Sequence, residues 1–264
     1  MHKYTKMTKL IITFVILLQG TPAFAEDQVL AKLFGRQSVE GTIVITSLKT
    51  GKTFIHNDSR AKQRYATAST FKIMNTLIAL EEKRILGKDD VFKWDGQIYS
   101  IPSWNHDQTL ESAFKASCVW CYQVLARRVG SMNYMSYIKN MKYGELTEPF
   151  EETTFWLDGS LQISAAEQVE FLKKVYQRSL PFSQGSYDIL RQIMLVEKTS
   201  SYYLWAKSGW ATKVKPQVGW YVGYVETPTD VWLFALNIET RNDKELPLRM
   251  KLSREALKAK GIIK

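Results

Sequence analysis

Ala66-Thr67-Ala68-Ser69-Thr70-Phe71-Lys72-Ile73-Met74 puts a serine and a lysine three residues apart at the head of an apolar run. Residues three apart share a helix face, so the Ser69 hydroxyl and the Lys72 amine are expected to meet. A hydroxyl is a weak nucleophile until a base removes its proton. An amine can be that base only when burial holds it neutral. Phe71, Ile73, Met74, Leu77 and Ile78 supply the apolar surroundings. The run predicts a helix from 69 to about 86, stopped at Gly87 and apolar on most sides, hence buried at the centre of the molecule.

Before this helix, residues 41–46 alternate and are β-branched. Lys49-Thr50-Gly51-Lys52 is a turn, residues 53–56 return as a second strand, and residues 57–63 read as a polar loop. After it, residues 88–108 are irregular. Helices are predicted over about 109–129, ended by Gly130, and from a Ser131 cap through 141. Residues 143–162 read as a loop. Ser164-Ala165-Ala166-Glu167 is a capping box opening a helix to about 178, and another covers 187–196. Residues 202–207, 218–225 and 231–239 read as strands, and 245–259 as a closing helix. The expected fold is α/β, specifically an α+β sandwich. One antiparallel sheet of about five strands is flanked by helices, and a helical region, about 64–200, is inserted between the N-terminal hairpin and a C-terminal β-β-β-α unit. Catalysis is expected at the border of the two parts.

Lys3, Lys6 and Lys9 precede the apolar run 10–18, and Ala23-Phe24-Ala25 is a small-x-small cleavage site. Residues 1–25 therefore read as a secretory signal, leaving 26–264 as a single catalytic domain with no membrane span in the mature chain. Without those three lysines the formal charge falls from +10 to +7. No basic run with interleaved aromatics points to nucleic acid. The two cysteines, Cys118 and Cys121, fall within a predicted helix. Redox pairs open a helix and zinc needs more ligands than His56 and His106 add, so two half-buried thiols are the favoured state, with a strained intrahelical disulfide the alternative.

Ser-x-x-Lys alone is weak, because the chain has four: Ser59/Lys62, Ser69/Lys72, Ser112/Lys115 and Ser136/Lys139. The first lies in a polar stretch, the third beside Glu111, and the fourth opposite the stripe of Tyr134, Ile138 and Met141. Only Ser69/Lys72 opens a buried helix. Lys-(Ser/Thr)-Gly occurs twice: Lys49-Thr50-Gly51 fits a hairpin turn, while Lys207-Ser208-Gly209 ends a strand just before Trp210, where it can bind a carboxylate and an amide side by side. A third element, Ser117-Cys118-Val119, competes with Ser103-Trp104-Asn105 and Ser131-Met132-Asn133. Ser131 is better read as a cap, and Ser103 stays open. There is no Gly-x-Ser-x-Gly elbow and no His-rich metal signature.

Taken in order, Ser69-Thr70-Phe71-Lys72, Ser117-Cys118-Val119, Trp156-Leu157-Asp158-Gly159 and Lys207-Ser208-Gly209-Trp210 resemble a class D serine β-lactamase, an oxacillinase. Trp104-Asn105-His106-Asp107-Gln108-Thr109-Leu110, Trp120-Cys121-Tyr122-Gln123 and Gly219-Trp220-Tyr221-Val222-Gly223 extend the resemblance over essentially the whole mature chain. It implies the fold shared by serine β-lactamases and DD-peptidases, a β-lactam substrate, a periplasmic location, a monomer or homodimer, and no metal.

Residue by residue, the resemblance implies that Ser69 forms an acyl-enzyme and that Lys72 carries a carbamate (N6-carboxylysine) made from carbon dioxide or bicarbonate, which is the general base. Trp156 would donate to that carbamate, and Ser117 would relay a proton to the leaving nitrogen. Val119 and Leu157 would keep Lys72 dry, and Lys207, Ser208 and Arg249 would engage the substrate carboxylate. The Ser69 and Trp210 amides, next to Gly209, would form the oxyanion hole. Three departures stand out: Glu145 follows Tyr143-Gly144 where the family commonly has Asn, Ser208 replaces Thr, and Cys118 adjoins Ser117. Substrate preference is expected to depend on residues 95–108 and 211–217. The rival readings are a D-alanyl-D-alanine peptidase, which usually has Asn where Val119 stands, and a β-lactam sensor domain that acylates without turning over.

Overall fold

The computed structural model describes residues 26–264, and the expected signal, 1–25, lies outside the described residues. Helix α1 (Gln28–Gln37) is not among the elements expected from periodicity. Its signal is local: the Asp27 carboxylate caps the Val29 and Leu30 amides, and Leu30 and Phe34 are buried. Strands β1 (Gly41–Ser47) and β2 (Thr53–His56) form the expected hairpin. The polar stretch after it is a short helix rather than a loop, α2 (Asp58–Lys62), capped by Asn57.

Strand β3 (Tyr65–Ala66) leads into a 3-10 turn, Ala68–Phe71, and then α3 (Lys72–Glu81). The helix expected to reach about 86 ends earlier because Lys83 turns left-handed (φ 52°) and the Arg84 amide donates to the Ala79 carbonyl at 2.8 Å. Ribbons β4 (Val91–Phe92) and β5 (Gln108–Thr109) pair across the irregular region. The single helix expected over 109–129 is two, α4 (Leu110–Lys115) and α5 (Val119–Val129), separated by a turn in which Ser117 has φ 56°. In α6 (Ser131–Met141) the capping position is Gly130, and Ser131 makes no cap bond. Strands β6 (Glu145–Leu146) and β7 (Leu161–Ile163) fall inside the stretch expected as a loop and join β3 in a small sheet. The Ser164/Glu167 capping box opens α7 (Ala165–Tyr176) as expected.

Helix α8 (Gln184–Met194) gives way to strand β8 (Leu195–Lys198), followed by β9 (Tyr203–Ala211), β10 (Gln217–Glu226) and β11 (Val231–Thr240). A 3-10 turn, Asp243–Glu245, precedes α9 (Pro247–Ala259). The main sheet has six antiparallel strands, not about five, in the order β2-β1-β11-β10-β9-β8. The sixth is β8, where Leu195-Val196 prolong the apolar pattern of α8 and so read as helix. The inserted helical region accordingly ends at Met194.

Both faces of the sheet are covered. On β10 and β11, Val218, Trp220, Val222, Tyr224, Leu233 and Ala235 face the core shared with the helical region, while Tyr221, Val225, Phe234, Leu236 and Ile238 face α1 and α9. Period-two alternation sends successive side chains to opposite faces, and each buried aliphatic or aromatic chain contributes on the order of 1.5–3 kcal/mol. This layering creates the site. Pairing with β8 reaches only Trp205, so Ala206 to Ala211 has no strand on that edge, and the Ser69 turn packs there instead.

Candidate active site

Ser69 lies on the 3-10 turn and is 8% exposed; Lys72 opens α3 and is 1% exposed. The Lys72 amine donates to Ser69 Oγ at 3.1 Å and lies 4.6 Å from the centroid of the Tyr122 ring. Burial alone lowers the Lys72 pKa to about 7, because desolvation penalises the ammonium. Of the four Ser-x-x-Lys pairs, this is the one whose hydroxyl and amine bond each other. Ser112 instead shares a capping box with Thr109, and Lys115 pairs with Glu111 at 2.5 Å. Lys62 pairs with Asp58 at 2.8 Å.

Gly209 brings β9 against this turn. A Cβ there would lie 3.2 Å from Thr70 N and 3.3 Å from Ser69 N, tighter than an ordinary contact, so glycine lets the strand pass this close without displacing the turn. Lys207-Ser208-Gly209-Trp210 lies within β9 rather than at its end. The Lys207 amine donates to Ser117 Oγ at 2.7 Å and to the Ser208 carbonyl at 3.0 Å. Desolvation, then the positive charges of Lys72 and Arg249, push the Lys207 pKa well down. Arg249 comes from the first turn of α9. Its guanidinium donates to the Gly209 carbonyl at 2.6 Å, burial lowers its pKa to about 10, and its Nε is buried without a partner. The Trp210 indole is turned away, donating to Thr240 Oγ1 at 3.0 Å.

Trp156 is buried, with its ring stacked on Phe71 (centroids 6.1 Å apart) and its Nε1 without a partner. An unpaired buried N–H is costly, and Trp156 Nε1 and Arg249 Nε are two buried donors with no acceptor from the protein itself. Leu157 is half-buried against the core, and Val119 is half-buried at the start of α5. Ser103, left open by spacing, is exposed in the 3-10 turn Pro102–Trp104 and stands apart from the cluster.

A nucleophilic hydroxyl beside a dry amine, faced by Lys207 of β9 and Arg249 of α9, is an arrangement for acyl transfer to serine. Comparison with known proteins agrees. The family model described as the penicillin binding protein transpeptidase domain matches residues 41–258. The β-lactamase OXA-48 of Klebsiella pneumoniae is 37% identical over 256 residues, covering 96% of this chain and 97% of its own. The chain belongs to the class D serine β-lactamases. Solved structures of the class match it throughout. The YbXI β-lactamase from Nostoc has a TM-score of 0.86 and 40% identity, covering 89% of this chain and 99% of its own. FUS-1 (OXA-85) from Fusobacterium nucleatum subsp. polymorphum has a TM-score of 0.88 and 36% identity, covering 91% and 100%.

Two departures of this β-lactamase acquire structural content. Glu145 is exposed and bonded to Arg64, which also pairs with Glu167 at 2.6 Å, so it ties the small sheet to α7. Cys118 and Cys121 are not the expected free thiols but a disulfide. Only Cys121 lies inside a helix: Cys118 is the cap of α5. The helix break at Ser117, invisible to periodicity, is what permits this.

Sequence reasoning also missed three contributors to the enzyme's site. Tyr122 floors the Lys72 amine, with its hydroxyl 2.8 Å from Thr76 Oγ1. The Phe114 ring lies 5.5 Å from the Lys207 amine. Thr70 anchors the nucleophile turn by donating to the Thr67 carbonyl at 2.6 Å while accepting from Gln168 at 2.8 Å. Tyr122 and Thr70 stood inside quoted motifs, Trp120-Cys121-Tyr122-Gln123 and Ser69-Thr70-Phe71-Lys72, while Phe114 had no signal.

Proposed function

We propose that this enzyme hydrolyses penicillin-type β-lactams through an acyl-serine on Ser69, with Lys72 in its carbamylated form, and that it thereby confers resistance to these antibiotics. The observation that carries this reading is a buried amine with a pKa of about 7, bonded to Ser69 at 3.1 Å, beside an indole N–H that is buried and unpartnered. A neutral amine adds to carbon dioxide, forming an N–C bond and releasing a proton. The residues fit the product: Trp156 Nε1 offers a donor, and Phe71, Tyr122, Val119 and Leu157 offer dry walls. When present, the carbamate supplies a carboxylate-like base for the Ser69 proton and for the hydrolytic water.

The remaining work falls to the chain's own groups. Lys207, Ser208 and Arg249 Nε bind the substrate carboxylate, whose negative charge draws the Lys207 pKa back up. The Ser69 and Trp210 amides hold the carbonyl oxygen as Ser69 Oγ attacks. As the lactam C–N bond breaks, Ser117 passes its proton to the leaving nitrogen and recovers one from Lys207, whose loss is made good by the proton that the base at Lys72 took from Ser69. Water then attacks the ester, releasing the ring-opened acid and restoring the Ser69 hydroxyl. The signal expected over residues 1–25 would deliver the enzyme to the periplasm.

The test mixes purified protein with a chromogenic cephalosporin after removal of carbon dioxide, with and without added bicarbonate. Many turnovers that rise with bicarbonate are expected. One stoichiometric burst would indicate a sensor, and cleavage of a D-Ala-D-Ala peptide without β-lactam turnover would indicate a peptidase.

A further inference from the structure

The Ser117 turn is held from several sides. Ser117 is left-handed (φ 56°), a conformation uncommon for a residue with a Cβ. Its amide donates to the Phe114 carbonyl at 3.2 Å, and the Cys118 amide donates to the Ala113 carbonyl at 2.9 Å. The Trp104 indole donates to the Ala116 carbonyl at 3.0 Å. Immediately after Ser117, Cys118 caps α5 and is bonded to Cys121, one turn into that helix. Helix ends held by hydrogen bonds alone fray, and this one cannot do so freely.

We propose that the Cys118–Cys121 disulfide is a positioning device for Ser117. By tying the backbone next to Ser117 to the first turn of α5, it keeps Ser117 Oγ within 2.7 Å of the Lys207 amine. The proposal rests on the proton-relay role given to Ser117 above. Two arguments favour it over other uses of the pair. The stabilisation that a disulfide gives by restricting the unfolded chain grows with loop length, so a bridge with a sequence separation of 3 is a poor staple for the whole fold. A Cys-x-x-Cys pair opening a helix is also the arrangement of dithiol oxidoreductases, but neither cysteine has exposed surface, so no partner thiol can reach the sulfurs.

The test is a double-mutant cycle on acylation. C118S/C121A breaks the link while the serine keeps a helix cap. The rate of acyl-enzyme formation on Ser69 is followed by rapid mixing and intact mass, per acylable site, so that unfolded protein does not contribute. C118A/C121V, which refills the buried volume, runs the same cycle should the first pair fold poorly. Breaking the link is expected to slow acylation about tenfold when Ser117 is present and less than about twofold in the Ser117→Ala background. Equal losses in both backgrounds, or no loss in either, would overturn the positioning role. If Ser117→Ala alone left the rate unchanged, the relay reading would fall first, and this proposal with it.

Discussion

Two lysines in this site are almost equally buried yet differently made. Lys72 is 1% exposed, on a helix, with its amine bonded to Ser69 Oγ at 3.1 Å and lying over the Tyr122 ring, and burial lowers its pKa to about 7. Lys207 is 4% exposed, on a strand, with the positive charges of Lys72 and Arg249 adding to desolvation. The first environment yields a neutral amine suited to chemistry on itself. The second holds its amine against the Ser117 hydroxyl with the Arg249 charge nearby, where, on the proposed reading, a substrate carboxylate would favour the protonated form. Burial alone therefore does not define a lysine's role; the groups its amine meets do, the Ser69 hydroxyl in one case and the Ser117 hydroxyl in the other.

The comparison breaks most sharply at Lys72. Lys72→Ala is expected to reduce steady-state hydrolysis by about three orders of magnitude or more, with the circular dichroism spectrum retained. Wild-type-like turnover would sink the proposal that this amine becomes the base. Lys207→Ala is expected to lower kcat/KM about 100-fold, with a large rise in KM, and added bicarbonate should not rescue it. Rescue would erase the distinction between the two lysines. Trp156→Phe preserves packing on Phe71 but removes the unpartnered donor. About a tenfold greater dependence of activity on bicarbonate is expected, and a bicarbonate response matching wild type would demote Trp156 to a core residue.

The smallest effects concern pH. Above a pKa of about 7 the buried Lys72 amine is neutral and can take up carbon dioxide; below it the protonated amine cannot. Activity and a ¹³C-bicarbonate NMR signal on the protein should fall together and reversibly as pH drops below about 7. The same shift bears on stability. Unfolded Lys72 holds its proton to the ordinary lysine value of 10.5, folded Lys72 only to about 7, so the stability lost to its burial is greatest below pH 7 and shrinks as pH rises towards 10.5. Lys72→Met, measured without carbon dioxide, should therefore raise Tm, more at pH 6 than at pH 9. An equal rise at both would show that Lys72 keeps an ordinary pKa in the folded state.

Much of this was legible one element at a time. The β1–β2 hairpin, the α7 capping box and the long strands β10 and β11 follow from patterns spanning a few residues. The misreadings share a cause: an apolar pattern does not say where a helix stops. Leu195-Val196 extends the pattern of α8 but pairs with β9 as an edge strand. Likewise the apolar pattern across 109–129 hides the break at Ser117, because a left-handed serine leaves no mark on periodicity. The disulfide was hidden for the same reason, since a pair inside a continuous helix and a pair capping one have the same spacing.

The sequence by itself determined the candidates. It supplied a serine and lysine on one turn, a Lys-Ser-Gly strand and an order of motifs matching class D enzymes. Only the tertiary structure showed that Ser69 and Lys72 bond each other out of reach of solvent while Ser112 and Lys115 do not meet. Both pairs satisfy the spacing, but spacing carries no information about solvent. Lys115 finds Glu111 at the surface, whereas Lys72 is sealed by Tyr122 and the core and left with Ser69 as its partner. A pKa is set by what surrounds an amine in three dimensions, and long-range packing provides those surroundings.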